Sequence, residues 1–243
     1  MIFSNDTVVR SSGNDRVLVI MAKAPRPGAV KTRLSPGLSP AAVTDFYCCL
    51  LEDTLTLARS LGDVEVALMC PDSDVHELRQ LAGRKAKVIA QKGEGLAAAL
   101  TSVFSHFAED RPRRTIAFNS DSPHLPRSVL DDAFETLAAH DVVVGPTYDG
   151  GYYLVGAKAS HPTLFANDGM GTTTALERLL SRTRALGLSV GLAEPFYDID
   201  VADDLTRLAE ELRQAPARAP RTAQWLKERE LPFTQSPTGT GEQ

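Results

Sequence analysis

Short apolar, largely β-branched runs alternate along the chain with longer stretches whose apolar positions recur every three or four residues. The runs at residues 17–21, 64–69, 87–90, 115–118, 142–144 and 152–155 read as strands, with a further strand at 188–192. Helical spacing covers residues 40–60, 74–82, 95–107, 128–139, 173–186, 203–213 and 222–229. Ser39-Pro40 supplies an N-cap and a proline at the first helical position. Repeated strand–helix alternation predicts an α/β fold, a mainly parallel central sheet with helices on both faces. Residues 1–15 and 231–243 read as flexible tails, leaving residues 16–230 as one domain. In such sheets ligands bind beyond the carboxyl ends of the strands, so the loops there are where chemistry is sought.

The densest of those loops follows the first strand. Residues 23–34 hold Lys23, Arg26, Lys31 and Arg33 together with Pro25, Pro27, Gly28 and Thr32. Prolines stiffen the loop, Gly28 permits close backbone approach, and the cations can surround a polyphosphate. A plain basic surface loop is the competing reading, and the position at a strand's carboxyl end favours the anion site. It is not a Walker loop, because Ala29 and Val30 separate Gly28 from Lys31.

Gly93-Glu94-Gly95-Leu96-Ala97-Ala98 matches a dinucleotide fingerprint, yet no acidic residue stands at the required distance for a ribose. Contact with a mononucleotide base, or a helix cap, is preferred. Asp121, in Asn119-Ser120-Asp121-Ser122-Pro123-His124, stands just past a strand, where it can hold Mg²⁺ through oxygen or cap a helix. His124 reads as a loop residue, since no second His or Cys lies at zinc spacing. Asp149-Gly150-Gly151 is a tight-turn signal that a hairpin explains, while Tyr152 and Tyr153 either line a sugar or base pocket or pack on a strand. Asp198 and Asp200 share a face of an extended segment and can complete a metal site with Asp121; Asp203 and Asp204 suit a helix N-terminus.

Composition narrows the classes. With 43% hydrophobic residues the chain can bury a sizeable core, and a net charge of −5 disfavours a nucleic-acid partner. No apolar run reaches the roughly 20 residues of a membrane span, and the polar start lacks the order of a secretory signal. Cys48, Cys49 and Cys70 lack disulfide or zinc spacing and read as buried reduced thiols, which points to the cytoplasm.

Taken in order, residues 23–34, 120–125, 145–154 and 198–205 resemble the nucleotide-diphospho-sugar transferase superfamily, with its glycosyltransferase-A-like fold. More narrowly they resemble the bacterial DUF2064 family (rSAM/selenodomain-associated transferase 1), over residues 16–226. A looser similarity reaches guanylyltransferases of the coenzyme F420 pathway. The resemblance implies a nucleotide over the first half of the sheet, its phosphates under Lys31-Thr32-Arg33, and metal ligation by Asp121 and Asp200. Residues 91–96 and His124 depart from the family's pattern.

The function expected is Mg²⁺-dependent (Mn²⁺ as substitute) nucleotidyl transfer to a small anionic acceptor. Lys31, Arg33, Asp121 and Asp149 carry the chemistry. Lys23, Pro25, Gly28, Lys31, Thr32, Arg33, Gln91 and Gly93 meet the nucleotide, and Asp149, Gly150, Gly151 and Tyr152 the acceptor or sugar. Glycosyl transfer from a nucleotide-sugar, and a non-catalytic nucleotide-binding module, stand as alternatives; the oligomeric state is left open.

Overall fold

The computed structural model describes residues 14–108, 113–166 and 173–229. Most of the two expected tails therefore lies outside the described residues. Seven strands, β1 (Arg16–Met21), β2 (Val64–Cys70), β3 (Lys87–Ala90), β4 (Arg114–Asn119), β5 (Val142–Pro146), β6 (Tyr152–Ala157) and β7 (Val190–Leu192), form one sheet in the order β3-β2-β1-β4-β6-β5-β7. All pairings are parallel except those of β6, which runs against both β4 and β5. The sheet is thus mixed and mainly parallel, as the alternation predicts. In register, Val19 of β1 stands beside Ala67 of β2 and Ala117 of β4.

The helices are α1 (Pro40–Ser60), α2 (Val75–Ala82), α3 (Gly95–Ala108), α4 (Arg127–Ala139), α5 (Ala175–Ala185), α6 (Ala202–Gln214) and α7 (Pro220–Lys227). Because successive strand side chains point to opposite faces, β1 feeds two cores. Leu18 and Ile20 pack with α1, α2, α4, α6 and α7, while Val17 and Val19 pack with α3 and α5. Strands covered on both sides need apolar residues at consecutive positions, which is why they read as unbroken runs.

Helix α1 starts where Ser39 accepts a hydrogen bond from Ala42 N at 3.2 Å. It buries Val43, Phe46, Tyr47, Leu50 and Leu51 on one face. Phe46 meets Trp225 of α7 at 4.8 Å, and the buried Asp53 carboxylate accepts from Thr222 N and Thr222 Oγ1, both at 2.8 Å. The aromatic contact and the two hydrogen bonds to Asp53 fix the last helix against the first. Cys70 is buried, but Cys48 and Cys49 are only half-buried, because they stand at the edge of α1's apolar face. All three are free thiols.

Candidate active site

Loops after β1, β2, β3, β4 and β7, together with the β5–β6 turn, gather at one edge of the sheet and surround a cleft of about 1410 Å³. Its wall includes Lys23, Lys31, Thr32, Arg33, Gln91, Gly93, Asp121, Asp149, Gly151, Tyr152 and Asp200. Pro25, Gly28 and Gly150 lie outside that wall. They shape the backbone instead: Gly28 takes φ 75° in the loop and Gly150 φ 90° in the turn.

The loop after β1 is held at its root. Lys23 N donates to Tyr47 Oη at 3.1 Å, and Tyr47 Oη is 3.2 Å from Ser120 Oγ. Ala24 N donates to Asp74 Oδ2 at 2.9 Å, and Arg26 Nη1 to Asp74 Oδ1 at 2.8 Å. Arg26 also grips Glu77 at 2.8 Å. Burial disfavours the Asp74 carboxylate, but the Ala24 amide, the Ser73 hydroxyl and Arg26 overcome it and hold its pKa below the ordinary value. Arg26 is therefore a strut rather than one of four cations awaiting a phosphate.

Lys31 and Arg33 do reach the cleft. Val30 and Leu34 are buried on either side of the tight turn formed by residues 32–34, and this pins the loop to the core. Lys31 takes φ 47°, ψ 40°, a left-handed conformation that no other non-glycine among the described residues adopts. Its side chain is only 6% exposed, and Nζ lies 2.9 Å from Asp121 Oδ2 and 3.7 Å from Asp200 Oδ1. Burial opposes the charged form, yet Asp121, helped by Asp200 and Asp198, raises the lysine's pKa. Arg33, largely exposed, reaches Asp200 Oδ2 at 2.5 Å.

Asp121 stands where β4 ends, and the opposing segment comes from β7. Phe196 N bonds to Pro146 O at 3.0 Å, Ser122 Oγ to Tyr197 O at 3.0 Å, and Ile199 N to Asp121 O at 3.1 Å. These bonds bring Asp198 and Asp200 to Asp121. Asp204 caps the following helix, its carboxylate accepting from Asp200 N (2.9 Å) and Val201 N (2.8 Å), so its expected N-terminal role holds. Burial pushes the Asp198 carboxyl up to about 6; Lys31 opposes the shift and Asp121 adds to it.

The residues expected to hold a metal are Asp121 and Asp200, with Asp198 able to join them. Among the described residues no group of three or more His, Cys, Asp or Glu side chains is arranged to hold a metal ion. Asp121 and Asp200 instead share the ammonium of Lys31, because that cation sits between them. Two carboxylates able to converge on one cationic atom are nonetheless a donor set suited to a hard divalent ion, which takes oxygen ligands.

On the far wall, residues 147–151 form the turn between β5 and β6. Thr147 N donates to Gly151 O at 3.0 Å, and Asp149 Oδ1 accepts from Thr147 Oγ1 (2.5 Å) and Gly151 N (3.2 Å). One Asp149 oxygen thus serves the turn itself. Tyr153 is buried on the strand, with its hydroxyl on Glu194 O at 2.8 Å, while Tyr152 faces the cleft. The two tyrosines divide between the alternatives open to them.

The 93–98 segment follows β3, the edge strand, with Gly93 at φ 82° and Gly95 at φ 80° where it enters α3. Tyr47, Asp72, Ser73, Ser120 and Asp198 also line the cleft. Of these Asp198 carries a signal in its spacing from Asp200, and Ser120 stands in the motif at residues 120–125. His124, expected in an ordinary loop, is completely buried between Phe196 and Tyr197, with ring centroids 4.9 and 4.7 Å away.

Sheet order and site together define a mixed α/β protein with a polar cleft at the carboxyl ends of its strands. The family model described as "Uncharacterized protein conserved in bacteria (DUF2064)" matches residues 54–172 of this chain. A candidate nucleotide-diphospho-sugar transferase from Desulfovibrio desulfuricans G20 superposes with a TM-score of 0.81 at 23% identity, over 89% of this chain and 95% of that one. A nucleotidyl transferase from Methanothermobacter thermautotrophicus gives a TM-score of 0.56 at 17% identity, over 84% of this chain and 100% of that one. Rv0371c of Mycobacterium tuberculosis H37Rv, crystallised as a manganese complex, gives 0.50 at 19% identity, over 80% and 97%. At these identities the likeness shows the fold. A search of curated proteins found no significant match. Among the described residues no helix is long and apolar enough to cross a membrane.

Proposed function

We propose that this chain is a divalent-metal-dependent, nucleotide-using transferase. It moves a nucleotidyl group from a nucleoside triphosphate to a small anionic acceptor. The observation that carries this reading is the meeting of Lys31 and Arg33 with Asp121 and Asp200 in one cleft at the carboxyl ends of the strands. An acceptor oxygen attacks the α-phosphorus, the bond from that phosphorus to the oxygen bridging to the β-phosphate breaks, and pyrophosphate departs. An ionised phosphate or carboxylate acceptor needs no general base.

Lys31 and Arg33 stabilise the charge gathering on the departing pyrophosphate. Lys23, Thr32, Gln91 and Gly93 flank the nucleotide, and Asp149, Gly151 and Tyr152 form the acceptor wall. Asp121 and Asp200 hold Mg²⁺, for which Mn²⁺ substitutes; when bound, the ion supplies Lewis-acid charge compensation at the phosphates. The description of the Methanothermobacter protein as a nucleotidyl transferase and the manganese in Rv0371c support this reading.

Glycosyl transfer from a nucleotide-sugar is the second reading, favoured by Asp149 and Tyr152 on the cleft wall and by the name of the Desulfovibrio protein. The engagement of Asp149 Oδ1 within its own turn weighs against Asp149 as a base.

A panel of nucleoside triphosphates and nucleotide-sugars with Mg²⁺, screened by thermal shift and then by product, tests the choice. The expected product is pyrophosphate. Lys31→Ala and Arg33→Ala should each lower kcat by about 10²–10³-fold, while Asp149→Asn mainly raises KM. Nucleoside diphosphate from a nucleotide-sugar, with no pyrophosphate from any triphosphate, overturns it. Tight binding without turnover supports the non-catalytic module.

A further inference from the structure

Lysine is rarely buried, and left-handed backbone is strained for a non-glycine residue. Lys31 does both at once, in order to bring its ammonium between Asp121 and Asp200. The turn around it is tightly specified, with Leu34 N on Lys31 O at 2.9 Å and Val30 and Leu34 in the core. Arg33 takes the second oxygen of Asp200. The carboxylates assigned to a metal are therefore neutralised by the protein's own cations. A divalent ion arriving alone would have to displace an ammonium held at 2.9 Å, against the repulsion of both cations.

We infer that Lys31 is a placeholder for the divalent ion: its ammonium occupies the Asp121–Asp200 pair until the phosphates of a nucleotide offer the lysine another anion. The inference rests on the reading that this pair holds a metal and that the residue 23–34 loop meets phosphate. It adds an order of events. Metal and nucleotide are taken up together, and the protein by itself binds the free ion weakly. The same lysine thus has two successive anionic partners, a carboxylate pair and then a phosphate. The carboxylates exchange a monovalent for a divalent cation as it leaves. The pair remains neutralised throughout, which matters in a cleft where Asp198 adds a third carboxyl.

The test uses the full chain, stripped of metal by a chelator and titrated with Mn²⁺ alone, free Mn²⁺ being read from its electron paramagnetic resonance signal. Lys31→Met removes the cation. Lys31→Gln removes the charge but keeps a hydrogen-bond donor for Asp121, and so protects the loop if the methionine variant folds poorly. Both variants should bind Mn²⁺ at least tenfold more tightly than the wild type. Adding Asp121→Asn to either should abolish the gain. Thermal unfolding gives a second readout: Mn²⁺ should raise the Tm of the two lysine variants and leave the wild type unmoved. Equal Mn²⁺ affinity in wild type and variants, lost on Asp121→Asn, overturns the placeholder and leaves the metal site standing. Absence of any Asp121-dependent Mn²⁺ binding in all of these proteins overturns both.

Discussion

Substituting Asp74 by Asn tests whether the basic loop is held from outside the cleft. The carboxylate accepts Ala24 N on one oxygen, and Arg26 Nη1 and Ser73 Oγ on the other, at 2.8–2.9 Å. An amide offers one acceptor and presents its NH₂ to donors on the other side. With the amide oxygen turned to Arg26 and Ser73, the buried Ala24 N–H is left unmatched. That costs about 1–3 kcal/mol. The half-exposed ion pair with Arg26 adds little, because solvent screens it. The expected loss is about 1–3 kcal/mol, or a Tm lower by roughly 2–12 °C in a chain of this size. Urea unfolding at pH 7 measures it, together with hydrogen exchange at the Ala24 amide, which should lose protection first.

The pH dependence has a definite sign. Asp74's folded pKa lies below its ordinary value, so its contribution is full above about pH 4 and fades as pH falls through the folded pKa. Wild type and variant should therefore converge in strong acid. A change under about 0.5 kcal/mol at pH 7, the scatter of ordinary surface substitutions, would refute the idea of a latch.

Two further outcomes follow from the same kind of reasoning. Gly150→Ala places a Cβ 1.9 Å from Thr173 O at φ 90°, so the 147–151 turn must shift and Gly150 O must part from Leu176 N. Destabilisation of at least about 2 kcal/mol by urea unfolding is expected, and a neutral result would show that the turn is not docked on α5. His124 has both ring nitrogens without a hydrogen-bond partner. Burial, with Arg207 and Arg218 nearby, pushes its pKa down to about 3 even though Glu211 stands 4.0 Å away. Since the unfolded chain takes up a proton near pH 6.5 and the folded one does not, stability should fall by about 2 kcal/mol between pH 7 and 5. His124→Phe should flatten that slope; an unchanged slope would rule out the histidine as its source.

Where local pattern carried the information, the sequence was readable. The strands follow unbroken apolar runs because the sheet is covered on both faces, and the Asp149 turn and the Asp204 cap depend only on near neighbours. What the sequence hid were choices of partner between distant segments. Nothing near Arg26 announces that it will face Asp74 and Glu77, or near Lys31 that it will settle between Asp121 and Asp200. The turn chemistry around Pro123 and Pro126 likewise gives no hint that His124 is enclosed by residues arriving after β7. Tyr47 reads as one more apolar position of α1, although its hydroxyl reaches Lys23 N and Ser120.

The reversed direction of β6 sets the terms on which this architecture can diversify. Because β5 runs with β4, the Asp149 turn leaves at the carboxyl edge, and reversing β6 lets five residues close it. A parallel β6 would need a crossover of roughly a dozen or more residues back to the opposite edge. As built, the two walls of the cleft have separate supports. One hangs on crossovers from β1, β2 and β3; the other is the tip of a hairpin, with Tyr148 68% exposed at its crest. Insertions or substitutions at that tip leave the pairing of β1, β2 and β3 untouched. Descendants of such a chain can vary the hairpin wall while inheriting the opposite wall intact.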